Sequence, residues 1–184
     1  ALDNVRADDP MALAAHARRA EILETMGRDA DAGALLVAAA EAPGSGPDAW
    51  LRLGDWHRRA DRFAEAISAY GRAITEAEAA GANDWALYFL RGSMKERSGD
   101  WPGAEADLRA ALQRAPDEPV VLNYLGYSLL DRGADGDEAA TLIARAAKLR
   151  PGDGGIIDSL GWSQFRAGRF ADAAFSNEEN INGR

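Results

Sequence analysis

The 184-residue sequence contains no cysteine and only two histidines. Without cysteine the chain can form no disulfide, no thiolate metal site and no cysteine nucleophile, and only His16 and His57 could supply an imidazole. It also has no run of about 18 apolar residues, so we expect no membrane-spanning helix. Acidic side chains number 30 against 21 lysines and arginines, for a net charge of -9. This excess disfavours general binding to nucleic acids.

Sequence motifs of common enzymes are missing as well. There is no GxxxxGK[ST] phosphate loop, no GxGxxG after a strand, and no HExxH, GxSxG or EF-hand spacing. The densest glycine cluster, residues 152–155, follows no predicted strand, so we interpret it as a linker between helices. His16 and His57 fall on predicted buried stripes without a second ligand at metal-binding spacing, which favours packed or partly exposed residues. We therefore expect no catalytic residue, no metal and no cofactor.

What the sequence has in excess is small residues: about 40 alanines and 19 glycines, with few β-branched residues, which favours helix. The small residues recur with a period of 34 to 38. A second small residue follows each of these after 12 or 13 positions. Larger apolar residues recur at the same positions of each period. The series are Ala20, Gly54, Gly92, Gly126 and Gly161, and then Ala32, Ala66, Ala104, Ala139 and Ala173.

Each period has the pattern of two antiparallel helices. The first helix carries apolar residues at helical spacing, as in Leu122, Leu125 and Leu129. Glycine follows seven residues after the small residue in most units, where a helix end favours positive φ. Two insertions interrupt the period: four residues in 76–83, which we expect to extend the second helix or the next loop, and one residue around 134–137.

These patterns resemble the tetratricopeptide repeat, a family of 34-residue helix pairs. Trp50, Leu53, Gly54, Ala66, Tyr70 and Ala73 fit the signature of one unit, and Tyr88, Gly92, Ala104, Leu108, Ala111 and Pro116 fit the next. The resemblance implies an all-α, right-handed superhelical solenoid of about five helix pairs. We place the units at about 12–46, 47–84, 85–118, 119–152 and 153–184. Residues 1–10 are interpreted as the remnant of a preceding repeat, so the chain is expected to be a fragment of a longer repeat protein.

In this family the first helices of successive units line a concave groove. When the groove-facing positions of the family are mapped onto this sequence, they predict a groove with a charged N-terminal half and an aromatic, polar C-terminal half. Tyrosine and tryptophan bury a large area at little entropic cost, and asparagine can hydrogen-bond a peptide backbone. The alternatives are that the aromatics pack on a neighbouring unit and that the arginines form a solvated face. The predicted groove residues are Arg52, Arg58, Arg59, Phe89, Asn123, Tyr124, Tyr127, Asp158, Trp162 and Phe165, with Arg18, Glu21, Glu24, Asp55, Leu90 and Leu130 beside them.

The sequence thus predicts a non-catalytic scaffold or adaptor that binds a protein or peptide in its groove. The alternatives are self-association, an accessory binding domain of a larger protein, or a small apolar ligand held among the aromatics. The C-terminal units are similar to bacterial repeat adaptors, some of which are exported. That resemblance implies a bacterial cytoplasmic location, or a periplasmic one if the full-length protein carries an export signal. The family's lysine-based carboxylate clamp is not transferred, because the only lysines are Lys95 and Lys148.

Overall fold

The computed structural model describes residues 10–134 and 136–168, with side chains from residue 15 onward. These residues form nine α-helices and no strand. Two compact units divide the chain, Ala1–Asp107 (unit 1) and Leu108–Arg184 (unit 2), and the division falls within the sixth helix. The helices are α1 Pro10–Thr25, α2 Asp29–Glu41, α3 Gly46–Arg59, α4 Phe63–Ala79, α5 Trp85–Arg97, α6 Trp101–Arg114, α7 Pro119–Asp131, α8 Gly136–Leu149 and α9 Gly154–Arg166.

Short connections join the helices into hairpins. Helices α1 and α2, α3 and α4, and α7 and α8 pack against each other, as expected of antiparallel neighbours joined by three or four residues. Both predicted insertions are accounted for. Helix α4 is 17 residues long where α6 has 14, and the loop after α4 is one residue longer than the loop after α6. The single extra residue lies in the α7–α8 connection. The five unit boundaries themselves stay a prediction.

Small residues in unit 1 let helices approach closely. A Cβ atom placed on Gly54 of α3 would lie 2.6 Å from the ring of Tyr70 in α4, so only glycine leaves room for the fully buried tyrosine. Between hairpins, a Cβ atom on Gly33 of α2 would lie 2.3 Å from the ring of Trp56 in α3. Gly54, a member of the periodic series, therefore marks a helix crossing, as the sequence predicts, whereas Gly33 lies outside that series.

Unit 2 has a core of aliphatic side chains. Leu122 of α7, Ala146 of α8 and Ile156 of α9 form one buried cluster. A Cβ atom on Gly126 would lie 2.8 Å from the side chain of Ile143 in α8, which is the same kind of close approach as in unit 1. Burial of these apolar side chains, at roughly 25 cal/mol per Å², is the main stabilising contribution in this unit.

The turns between paired helices use the left-handed backbone conformation. Gly27, Gly99 and Gly133 have φ angles of 69°, 88° and 65°. At the equivalent position in the second pair stands Asp61, with a φ of 53°, the one non-glycine residue with positive φ among those described. The repeat therefore imposes the turn even where the sequence lacks glycine.

Some predictions concern residues outside the described part. These are residues 1–9 of the preceding-repeat remnant predicted at 1–10, and the second helix of the fifth predicted unit, 153–184. Within the described part, none of the helices has the length and apolarity needed to cross a membrane.

Candidate functional site

The ten predicted groove residues all lie on first helices of the predicted pairs. Arg52, Arg58 and Arg59 are on α3, and Phe89 is on α5. We define the N-terminal face as the exposed surface of α1 and α3 around Arg52, Arg58 and Arg59. The C-terminal face is the surface of α7 and α9 carrying the remaining six residues: Asn123, Tyr124, Tyr127, Asp158, Trp162 and Phe165.

The N-terminal face is a shallow cleft of about 80 Å³ between α1 and α3. Its arginines are largely neutralised by acids of the same unit. Arg59 forms an ion pair with Glu24 of α1 at 3.5 Å, and Arg58 donates from Nε to Asp55 at 3.3 Å. Arg52 is exposed, and among the described residues it has no ion-pair partner. Two of the three predicted arginines are therefore already occupied within the protein.

Asp55 also ties this face to the core. The hydroxyl of Tyr70, whose ring is fully buried, donates to Asp55 Oδ1 at 2.8 Å. Burial and the hydrogen bond to the Asp55 carboxylate both raise the pKa of Tyr70 above its ordinary value. The neutral hydroxyl thus stays a donor throughout the physiological range. Asp55 accepts from two partners at once, which fixes it as a structural group.

The third helix pair contains a charge cluster that sequence reasoning missed. Asp107 of α6 is only 6% exposed, and it receives two hydrogen bonds of 2.7 Å from Arg91 of α5. Lys95 lies 2.9 Å from the same carboxylate. The signal was available: Arg91 stands directly before Gly92, where the neighbouring units have leucine, and Asp107 occupies the position of a buried alanine, Ala69. Two opposite charges at paired packing positions indicate an internal ion pair.

Phe89 is half-buried and does not project freely. Its ring lies 6.4 Å from that of Trp85, one turn earlier on α5, in a tilted arrangement. This supports a packing role at least in part, one of the alternatives that the sequence left open.

The C-terminal face exposes large aromatic side chains. Tyr127 is 45% exposed, Trp162 39% and Phe165 46%. The rings of Trp162 and Phe165 stack on each other with centroids 5.4 Å apart and an interplanar angle of 12°. Helices α7 and α9 are in contact. Asp158, one turn before Trp162, is exposed and has no ion-pair partner among the described residues.

Other predicted residues of this face are less available. Leu130, predicted to face the groove, is only 6% exposed, so that prediction is wrong. Its backbone carbonyl lies 3.5 Å from the guanidinium of Arg166 in α9, because α9 packs against this end of α7. Tyr124 is half-buried and already has contacts within the protein. Asn123 is also half-buried, and its Oδ1 is buried without a hydrogen-bond partner.

The histidines are packed or partly exposed, as predicted. His57 touches Trp56 edge to face at 4.9 Å. Burial and the nearby positive charge of Arg62 lower the pKa of His57, against the opposing effect of Glu65. Within the part of the chain that the structure describes, no group of three His, Asp or Glu residues is arranged to hold a metal ion.

Comparison with known proteins agrees with this geometry. Residues 89–154, from α5 through α8, match the family model of the tetratricopeptide repeat. The helices within residues 89–154 thus match tetratricopeptide repeats. A TPR repeat-containing protein of Pseudomonas aeruginosa is 43% identical over 90 residues, which are 49% of this chain. The chain spans about 15% of the length of that relative.

Solved tetratricopeptide structures superimpose on nearly the whole chain. MamA from Desulfovibrio magneticus matches with a TM-score of 0.75 at 15% identity, over 92% of this chain and 93% of that one. YrrB, described as a TPR protein with an unusual peptide-binding site, has a TM-score of 0.68 at 18% identity, over 91% and 84%. At such identities the likeness shows the fold alone. The predicted class, an all-α tetratricopeptide-like solenoid, is confirmed.

Proposed function

We propose that this chain is a non-catalytic scaffold that binds a peptide or protein segment on its C-terminal face. The tetratricopeptide fold supports a protein–protein interaction module, with proteins or peptides as partners. The proposal adds the location of the binding surface and the absence of chemistry. YrrB, whose description names a peptide-binding site, supports a peptide as one form of the partner.

The exposed aromatic side chains carry this proposal. Tyr127, Trp162 and Phe165 each leave about two fifths or more of their surface in water. Aromatic side chains with few rotatable bonds dominate binding energy at protein interfaces, because they bury a large area at little entropic cost. Two of these rings are also pre-ordered by stacking on each other, which reduces what a partner must immobilise.

The half-buried Asn123 adds a polar group near these rings. Its Oδ1 is a buried acceptor without a hydrogen-bond partner among the residues that the structure describes, which costs about 1–3 kcal/mol. A hydrogen bond from a bound segment would offset this cost. In the proposed complex, this oxygen accepts an N–H from the bound segment. An extended peptide offers such donors at regular intervals.

The test is capture of partners from a bacterial lysate with three immobilised proteins: the wild type, the double variant Tyr127→Ala/Trp162→Ala, and Leu149→Ala. Leu149 is the matched control, because it is 43% exposed but lies on α8, the second helix of its pair. We expect a protein that the wild type and Leu149→Ala retain and the double variant loses, with melting temperatures unchanged within a few degrees.

Two results would contradict the proposal. If all three proteins capture the same set, the aromatic face does not bind the partner. If the double variant melts many degrees lower, its side chains stabilise the fold instead. Light scattering on the wild type addresses self-association, because a monomer at all concentrations would exclude that alternative.

A further inference from the structure

We infer that the segment bound at the C-terminal face is basic, with lysine or arginine among apolar residues. This inference rests on the proposed function and specifies the class of partner. It comes from the charges that accompany the exposed aromatics, and from how those charges are paired in the two units.

Unpaired acids stand beside the aromatic residues. Asp158 precedes Trp162 by four residues, so both side chains lie on the same side of α9. Asp131 follows Tyr127 by four residues at the end of α7. Both acids are exposed, and neither has an ion-pair partner among the described residues. Each is therefore available to a positive group of a ligand.

The end of α7 reinforces this preference. Asp131 is the last residue of the helix, where the backbone dipole places partial negative charge. Arg166 shows how a cation sits on this surface. Its guanidinium lies 5.9 Å from the ring centroid of Trp162 and within 3.5 Å of the Leu130 carbonyl. A lysine or arginine of the partner can use the same two kinds of contact, an aromatic ring and a carboxylate or carbonyl oxygen.

The N-terminal face makes an acidic partner a poorer choice. Arg58 and Arg59 are paired with Asp55 and Glu24, which leaves Arg52 as the available cation of that predicted surface within the described residues. The chain as a whole carries a charge of -9, so an acidic segment would be repelled over the distance of a Debye length. Local pairing and net charge both favour a basic segment.

The experiment uses three pools of fluorescently labelled nine-residue peptides. Six positions are random apolar residues, and the other three are all lysine, all glutamine or all glutamate. Fluorescence anisotropy measures binding of each pool to the wild type at low and at high salt. We expect the lysine pool to bind on the order of tenfold tighter than the glutamate pool, from a surface ion pair and a cation–π contact worth a fewfold each. The difference should shrink at high salt.

Two variants that remove the same charge test whether the preference for the lysine pool arises at the C-terminal face. Asp158→Asn should weaken binding of the lysine pool by about threefold and leave the glutamine pool unchanged, as expected for one exposed ion pair. Asp48→Asn removes the same charge from an exposed acid on α3 that has no ion-pair partner in the described part of the chain, and it should change neither. Equal effects of both variants would mean that only net charge matters, and would overturn the inference.

The remaining outcomes separate the two proposals. The glutamate pool could bind as well as the lysine pool while Tyr127→Ala/Trp162→Ala weakens the binding of both. The C-terminal face then binds peptides, but the inference of a basic partner is wrong. If no pool depends on Tyr127 and Trp162, the proposed binding face itself is wrong, and this inference falls with it.

Discussion

The two units present opposite kinds of surface at equivalent positions of the repeat. On the N-terminal face, charged side chains satisfy one another, and Asp55 is held by Arg58 and the buried Tyr70. On the C-terminal face, Trp162 is exposed, and Asp158 has no ion-pair partner within the described ranges. The difference shows that a repeat determines where a side chain projects, whereas its neighbours determine whether it is available to a partner.

The units differ in the same way inside. Unit 1 contains the buried carboxylate of Asp107 with two cations, whereas Leu142 and Ile143 pack around Gly126 in unit 2. Charged groups in unit 1 therefore contribute to folding, whereas those on the C-terminal face belong to the surface that we propose binds a partner.

The largest effect is expected for Asp107→Ala. This change leaves Arg91 and Lys95, whose side chains are 22% and 19% exposed, without their counter-ion. Removing one partner of a buried ion pair costs about 3–5 kcal/mol, and these partly exposed cations place the expected loss near 3 kcal/mol. Asp158→Ala should change the free energy of unfolding by less than about 0.5 kcal/mol. Chemical denaturation measures both, and similar losses would contradict the contrast.

A smaller loss is expected for Tyr70→Phe. The ring still fills the space beside Gly54, but the hydrogen bond to the Asp55 carboxylate is gone. A hydrogen bond to a charged group contributes about 1.5–3 kcal/mol, and the partial exposure of Asp55 places the expected loss at or below the lower end. Tyr127→Phe is the control in unit 2, because among the described residues the Tyr127 hydroxyl has no hydrogen-bond partner, so the stability should not change. Equal melting temperatures for both variants would contradict the assigned role of Asp55.

At the turn between paired helices, glycine can be replaced in unit 2 and introduced in unit 1. Gly133→Ala places a side chain at a φ of 65° and should cost about 1 kcal/mol. Asp61→Gly relieves the same conformation in unit 1, but it loses the exposed ion pair with Arg97. We therefore expect a net gain of about 0.5 kcal/mol or less. A stability loss in Asp61→Gly would show that the Arg97 contact outweighs backbone strain.

The smallest effect is a dependence on pH that arises in unit 1. The pKa of His57 is lowered by burial and by Arg62, with Glu65 opposing, so the unfolded chain binds a proton more readily than the folded one. Stability should fall as the pH drops through the unfolded value of 6.5. In a denaturation series from about pH 7.5 to 5.5, His57→Gln should show a shallower decline than the wild type. An unchanged slope would contradict this assignment.

Much of the fold could be predicted from the sequence. The spacing of Gly54, Gly92 and Gly126 predicts helix crossings, and two of these, Gly54 and Gly126, lie in close contact with a neighbouring helix. The insertion in 76–83 lengthens α4 and its loop, as expected. These features follow from period and residue size, which are local properties of the chain.

The candidate site was predicted less completely. Register alone predicted that Leu130 faces the groove, but its side chain is only 6% exposed. Register also could not show that Arg58 and Arg59 are paired, since pairing depends on distances between long side chains of different helices. The Asp107 cluster could have been found by comparing charges at paired packing positions.

The most direct test of the account compares the two faces against one captured partner. Its affinity should be measured by calorimetry for the wild type, for Tyr127→Ala/Trp162→Ala, and for Arg52→Ala/Arg59→Ala. We predict that the aromatic variant loses more than about tenfold in affinity, because interface aromatics are worth about 2 kcal/mol or more, whereas the arginine variant stays within about threefold. An equal or greater loss in the arginine variant would contradict the central claim that the C-terminal face binds the partner.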